Sequence, residues 1–286
     1  MILEGPMQSL LCWFRTHPWL TAFAVAAYTF TSAVNHDRIQ DLVRQLQTLV
    51  GYGALQRTWL VLGVTVLAAI SLLLIRRIRQ NPDLQLLPIY WVGTAAGIIA
   101  AVHFFSVNNN EFIHFAQYAL LACPVFALSG RFGETVAWTA WLGTFDESWQ
   151  YGMLHPGWGI PLDFNDIVMN IFGAGLMVTL LVATIPVQKA SPPKWPPFGP
   201  AYRFTAAVLG MGTLLWLAGK VALTGPTGPP GTWILLSRLE PKPFWFFDAS
   251  WGPKTFHLLH PLEGMLLCVL VVCLYATLDR RLRWAS

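Results

Sequence analysis

Residues 58–75 read Thr-Trp-Leu-Val-Leu-Gly-Val-Thr-Val-Leu-Ala-Ala-Ile-Ser-Leu-Leu-Leu-Ile, and Arg76-Arg77-Ile78-Arg79 follow at once. An uncharged apolar run of this length is what a helix needs to cross the roughly 30 Å hydrocarbon core of a bilayer. Working outward, eight segments of this kind span 18–34, 56–75, 86–106, 111–128, 132–149, 164–186, 203–222 and 261–278. The first resembles a signal peptide at Ala24-Val25-Ala26 but lacks a compact basic leader, so it reads as a retained helix. Composition agrees: 55% of the 286 residues are hydrophobic and only 11% are charged, against about 25% in soluble domains. Disorder, a collagen-like fibre and a disulfide-stapled secreted module are excluded, and an ordinary soluble enzyme is disfavoured. The expected fold is all-α, a polytopic transmembrane bundle of about eight helices.

Lys and Arg set the expected orientation. The clusters Arg76-Arg77-Ile78-Arg79 and Arg280-Arg281-Leu282-Arg283 fall on one side of the membrane only for an even helix count. Both termini are therefore expected in the cytoplasm of a cell (inner) membrane protein. The net charge of +4 comes from residues scattered at helix ends, so nucleic acid is not an expected partner. Cys12, Cys123, Cys268 and Cys273 have no metal-type spacing, and three of them lie inside apolar runs.

Three connections stand out. Residues 36–50 carry Ile39, Leu42, Val43, Leu46, Leu49 and Val50 at helical spacing, which predicts an amphipathic helix on the membrane surface or packed on the bundle. Residues 187–202 form a Pro-rich linker, dividing a six-helix core (1–186) from a two-helix extension (203–286). Residues 223–256 make a long outer loop rich in Gly, Pro and aromatics, as expected of a segment with a job or one that caps the bundle.

Ionisable groups are costly in a bilayer, about 2.5–3.5 kcal/mol at mid-depth, so they mark cavities or partners. Most here sit near the outer ends of helices. Glu111 and His114 open one helix, with Tyr118 a turn further in. Asp146, Glu147 and Gln150 close the next. Asp163, Asp166, Asn170 and Gly173 form a stripe along the one after. Consecutive, short-looped helices default to antiparallel neighbours, so the three stripes should converge into one pocket at the outer leaflet. Against this, Asp146, Asp163 and Asp166 would serve as ordinary helix caps, and Pro261 with Glu263 as an ordinary first turn. His103 reads most simply as a core or interfacial histidine.

The pattern Glu111-x-x-His114-Phe115, Asp146-Glu147-x-x-Gln150 and Asp166-x-x-x-Asn170-x-x-Gly173 resembles the signature of the VanZ-like multi-pass bacterial membrane proteins. The resemblance covers roughly residues 100–180. It implies association with the cell envelope, as in the teicoplanin-resistance-associated founding member, and brings no mechanism with it. The family commonly has a Lys where this chain has Glu111, and an Arg in the stretch where residues 151–162 contain no cation. Lys254 and Arg238 on the long loop are candidates to supply the missing charge.

Paired carboxylates with a histidine suit general acid–base work. Glu147, Asp166, His114, Glu111 and Asp146 are the catalytic candidates, and Gln150, Asn170, Asp163 and Tyr118 the ligand-orienting ones. No cofactor is expected beyond a possible divalent metal, for which His257, His260 and Glu263 are candidate ligands. No nucleophile elbow, P-loop, dinucleotide fingerprint or haem motif is present. No internal repeat suggests a transporter. The inner half is nearly bare apart from Glu134, which argues against ion conduction. Three functions stay open: an enzyme acting on a lipid-linked or amphiphilic envelope molecule, a protein that binds such a ligand without turnover, or an accessory subunit of a membrane complex.

Overall fold

A computed structural model of the chain describes residues 5–81, 84–189, 199–249, 252 and 254–284. It is helical, with α1 (Pro6–Thr16), α2 (Pro18–Val34), α3 (His36–Val50), α4 (Tyr52–Gln80), α5 (Leu87–Ala100), α6 (Phe112–Ser129), α7 (Phe132–Trp149), α8 (Phe164–Thr184), α9 (Pro200–Leu217) and α10 (Pro261–Asp279). Each of the eight expected spans overlaps a helix, although 203–222 runs past the end of α9 at Leu217 into a two-residue strand, Val221–Ala222. Among the described residues, five helical stretches are long and apolar enough to cross a membrane: Tyr52–Gln80, Leu87–Phe105, Asn109–Ser129, Phe164–Thr184 and Pro261–Asp279.

Local sequence explains where these helices begin and end. Pro18, Pro88, Pro200 and Pro261 stand in first turns, where a missing N–H costs nothing. Gly130, at φ 64°, takes the left-handed conformation that stops α6. Two helices instead end in π-helical turns, Ala101–Phe105 after α5 and Gln150–Leu154 after α7. Such widened turns frequently mark functional sites, and no local signal in the sequence announces them. Helix α1 was not expected. It packs on α6 and α8 and buries Leu11 completely.

The centre of the bundle is α8, flanked by α6 and α7, with α4, α5 and α10 around them. Lipid is as apolar as leucine, so these helices gain little from hydrophobic burial; close packing and polar contacts between them matter more. Small residues sit where the packing is closest. Gly173 lies against the Phe115 backbone, and Gly133 against the Tyr275 backbone. Gly175 lies against the Tyr275 hydroxyl.

The expected split into a six-helix core and a two-helix extension does not describe this packing. Helix α10 runs along α7 and α8 and buries Tyr275 in the common core, while α9 rests on α7. The physical reason lies at Gly133 and Gly175, whose missing side chains let α10 dock closely. Of the Pro-rich linker, residues 190–198 lie outside the described residues. Val187–Lys189 forms a strand (β1) that pairs antiparallel with Leu282–Trp284. Glu134 also has company at its end of the bundle: Arg131 reaches it at 2.6 Å, and Asp279 accepts from the Gly133 and Glu134 amides and the Tyr202 hydroxyl.

The long loop caps the other end of the bundle. Arg238 donates to the carbonyls of Tyr151 and His155, each at 3.1 Å, and stacks on the Tyr151 ring. Tyr151 donates to Leu235 O at 2.7 Å, and the His257 amide to Phe104 O at 2.6 Å. The loop is thus pinned to both π-helical turns.

Candidate functional site

The ends of α5 and α7 and the starts of α6 and α8 meet under this cap. His114, on the first turn of α6, faces α8. Its Nδ1 stands 3.1 Å from Asn170 Oδ1 and its Nε2 3.3 Å from Asp166 Oδ2. Asp166 and Asn170 are one turn apart, so a single face of α8 holds both ring nitrogens. Asn170 is fully buried, and its Nδ2 has no partner among the described residues.

Helix α7 supplies the next layer. Asp146 accepts from Tyr118 at 2.7 Å and from Gln150 at 3.1 Å. Glu147 is only 2% exposed, and the hydrogen bond it accepts comes from Gln150 at 3.4 Å. His114, Glu147 and Asp166 each direct one donor atom into a common space, those atoms lying within 4.8 Å of one another. The expected convergence of three polar stripes is therefore present.

Not every expected residue turns toward a ligand. Asp163 caps α8, accepting from the amides of Asn165 at 2.9 Å and Asp166 at 3.2 Å, the alternative weighed for it. Burial and the neighbouring Asp166 charge push its carboxyl up to about 7. Tyr118 and Gln150 clamp Asp146, and Asn170 holds His114, so these three position other site residues. Glu111 accepts from the Val107 amide at 2.9 Å and lies on the cavity wall described below.

The trio His257, His260 and Glu263 is used otherwise than as a metal site. His260 caps α10 in a reciprocal box with Glu263. His257 lies 3.2 Å from Glu263 and 2.9 Å from Phe244 O. A histidine and a glutamate at a helix start are drawn into satisfying its free amides, a demand that ligand-type spacing alone does not reveal. His103 is exposed against the Phe104 ring edge, which fits an interfacial residue and not a core one.

A cavity of about 660 Å³ opens beside this cluster. Its floor includes Glu111, His114 and Asp146, its roof is α3, and Phe247 and Gly252 of the long loop close one side. On α3, His36, Gln40, Arg44 and Gln47 face the cavity together with Ile39 and Val43, while Leu42, Leu46 and Leu49 stay exposed on the helix's other side. His36 is held down to about 4 by burial, and secondarily by His114. It therefore faces the cavity uncharged near neutral pH.

The two loop cations considered as charge suppliers for the pocket are committed elsewhere. Arg238 staples the loop, and Lys254 donates to Val102 O at 2.9 Å, its pKa lowered by burial against the opposing pull of Glu111. The guanidinium on the cavity wall is Arg44, partnered at 3.0 Å by Asp41. Sequence reasoning missed Arg44 and His36, although positions 36, 40, 44 and 47 form a polar stripe that helical spacing makes readable. It also missed Asn165. That side chain bonds Phe105 O, His257 O and the Leu259 amide, and so ties the cap to the site.

Comparison with known protein families, curated proteins and solved structures finds no match to this chain.

Proposed function

We propose that this is a VanZ-like integral membrane protein of the bacterial cell envelope. Its pocket, at the extracytoplasmic end of an eight-helix bundle with both termini in the cytoplasm, takes the polar head of a lipid-linked or amphiphilic envelope molecule. The observation that carries this is the roofed cavity of about 660 Å³ reaching His114, with Asp166 and Glu147 directly behind the imidazole. A cluster built only to hold helices together would be filled and mutually satisfied. Asp146 is satisfied in that way, but Glu147 is not.

The exposed leucines of α3 and the aromatic loop supply an apolar rim against lipid. Arg44 gives that rim one cation for an anionic head group. Behind the cavity floor, Glu147 and Asp166 are the leading carboxylates, and His114 between them and the cavity is the group that passes a proton, a constellation suited to hydrolysis or transfer. Asp146 supports the clamp around them.

The test is Glu147→Gln and Asp166→Asn, singly, scored for thermal stability of the purified protein and for envelope-antibiotic susceptibility of the host. Loss of the phenotype with stability unchanged supports a working site. Loss of stability, or a wild-type phenotype, makes the acids structural and favours an accessory subunit of a larger membrane complex.

A further inference from the structure

Five carboxylates, Glu111, Asp146, Glu147, Asp163 and Asp166, gather around one histidine at this end of the bundle. None has a Lys or Arg nitrogen within 4.0 Å among the described residues. That concentration of acceptors needs protons or a cation between them.

The imidazole narrows the choice. Asn170 Oδ1 can only accept, so His114 Nδ1 carries a proton, and the neutral ring then presents its Nε2 lone pair. That lone pair faces Asp166 Oδ2 at 3.3 Å, acceptor against acceptor. Glu147 adds a carboxylate oxygen that receives no hydrogen bond among the described residues, on a side chain only 2% exposed. A histidine whose far nitrogen is held by a hydrogen-bond partner, with two carboxylates beside its near nitrogen, is the arrangement of a metal-binding imidazole with its outer support.

The geometry points to a divalent-metal site formed by His114 Nε2, Glu147 and Asp166, taking a first-row ion of the Mn2+ or Zn2+ class. One imidazole and two carboxylates suit these ions better than Ca2+, which prefers six to eight oxygens, or Mg2+, which keeps its waters. Three protein ligands leave further positions of the ion free, and the adjoining cavity is where an anionic oxygen of a bound head group would reach them. The inference rests on the proposed working site and reassigns the roles of its residues. The three side chains act as ligands, the ion offsets the acidic charge that would repel an anionic head group, and proton transfer falls to Glu111 on the cavity wall.

The test uses the full chain in detergent micelles, washed with chelator and titrated with MnCl2, free Mn2+ being read by electron paramagnetic resonance. ZnCl2 is scored in parallel by elemental analysis. Wild-type protein should bind one ion per chain, with nitrogen coupling from one imidazole in the Mn2+ spectrum. His114→Ala, Glu147→Gln and Asp166→Asn should each weaken binding at least tenfold, while His103→Gln should leave it unchanged. Less than about a tenth of an ion per wild-type chain, no imidazole coupling, or wild-type affinity in all three variants overturns the site. The wild-type titration decides the matter even if a variant fails to fold. If wild-type protein binds no ion while Glu147→Gln loses the envelope phenotype with its fold intact, the metal site falls and the working site stands. If Glu147→Gln loses the ion but keeps the phenotype, the metal site stands and the envelope role falls.

Discussion

Gly173→Ala tests whether the close meeting of α6 and α8 sets the geometry of the site. A Cβ at 173 would stand 2.6 Å from Phe115 O, 3.0 Å from its Cα and 3.1 Å from its carbonyl carbon. These are backbone atoms of α6, so no rotamer change relieves the overlap. Ordinary contact begins at 3.4 Å, so the helices must part locally by about 0.8 Å, the difference from 2.6 Å. His114 adjoins Phe115, and its contacts of 3.1 Å to Asn170 and 3.3 Å to Asp166 would open toward 4 Å. Overpacking of this kind costs about 1–3 kcal/mol, and stranding a buried hydrogen-bonding group adds about 1–3 kcal/mol. A total of roughly 2–6 kcal/mol should appear as a lowered midpoint when the purified protein is unfolded by SDS in mixed micelles. Two other glycines calibrate it. At Gly143 the new Cβ meets side-chain atoms of Asn170 and Tyr118 at 3.0–3.3 Å, which can shift, so alanine there should cost less. At Gly210 nothing lies within 4 Å, and alanine should be neutral or stabilising by up to about 1 kcal/mol. If Gly173→Ala unfolds with Gly210→Ala, α6 and α8 do not meet as described.

Other predictions follow from single contacts. Asn165→Ala removes three hydrogen bonds that hold Phe105, His257 and Leu259. It should cost about 2–4 kcal/mol and speed limited proteolysis within 223–256 before global unfolding. His36 titrates near 4 in the folded protein against an ordinary 6.5. The unfolded chain then binds the extra proton between these values, so stability should fall as pH drops from 6.5 to 4 and level off below. His36→Gln should flatten that part of the profile, and an unchanged slope in thermal denaturation would assign it to other groups. Tyr202→Phe removes the 2.8 Å hydrogen bond to Asp279 and should lower stability by about 1–2 kcal/mol while leaving metal and ligand binding at the opposite end unaltered.

Much of this protein was legible because a bilayer leaves a backbone few choices. Every N–H and C=O must be satisfied within the segment, so an apolar run of sufficient length becomes a helix. Residues 58–75 and 164–184 could be read without knowing their neighbours. The site was legible for a related reason. Acids and amides within apolar helices are expensive enough to be placed deliberately, and Glu111, His114, Glu147, Asp166 and Asn170 do come together. The α3 stripe was half read: its leucines were noticed, and the polar face that roofs the cavity was not.

Sequence alone determined the membrane-type helical composition, the position of the helices after α1, and the end of the bundle where polar groups collect. Those properties depend on residues within one or two turns of each other and on the solvent they avoid. Only the tertiary structure decided that α10 belongs to the core and that Arg238 and Lys254 are bound to carbonyls while Arg44 lines the cavity. It alone separated Asp146, which accepts from Tyr118 and Gln150 at the cavity floor, from Glu147, one of whose oxygens lies within 4.8 Å of atoms of His114 and Asp166. Most of those outcomes depend on which side chain reaches which partner on another segment, from 28 residues away for Tyr118 and Asp146 to 152 for Lys254 and Val102. Spacing along one helix carries no information about that.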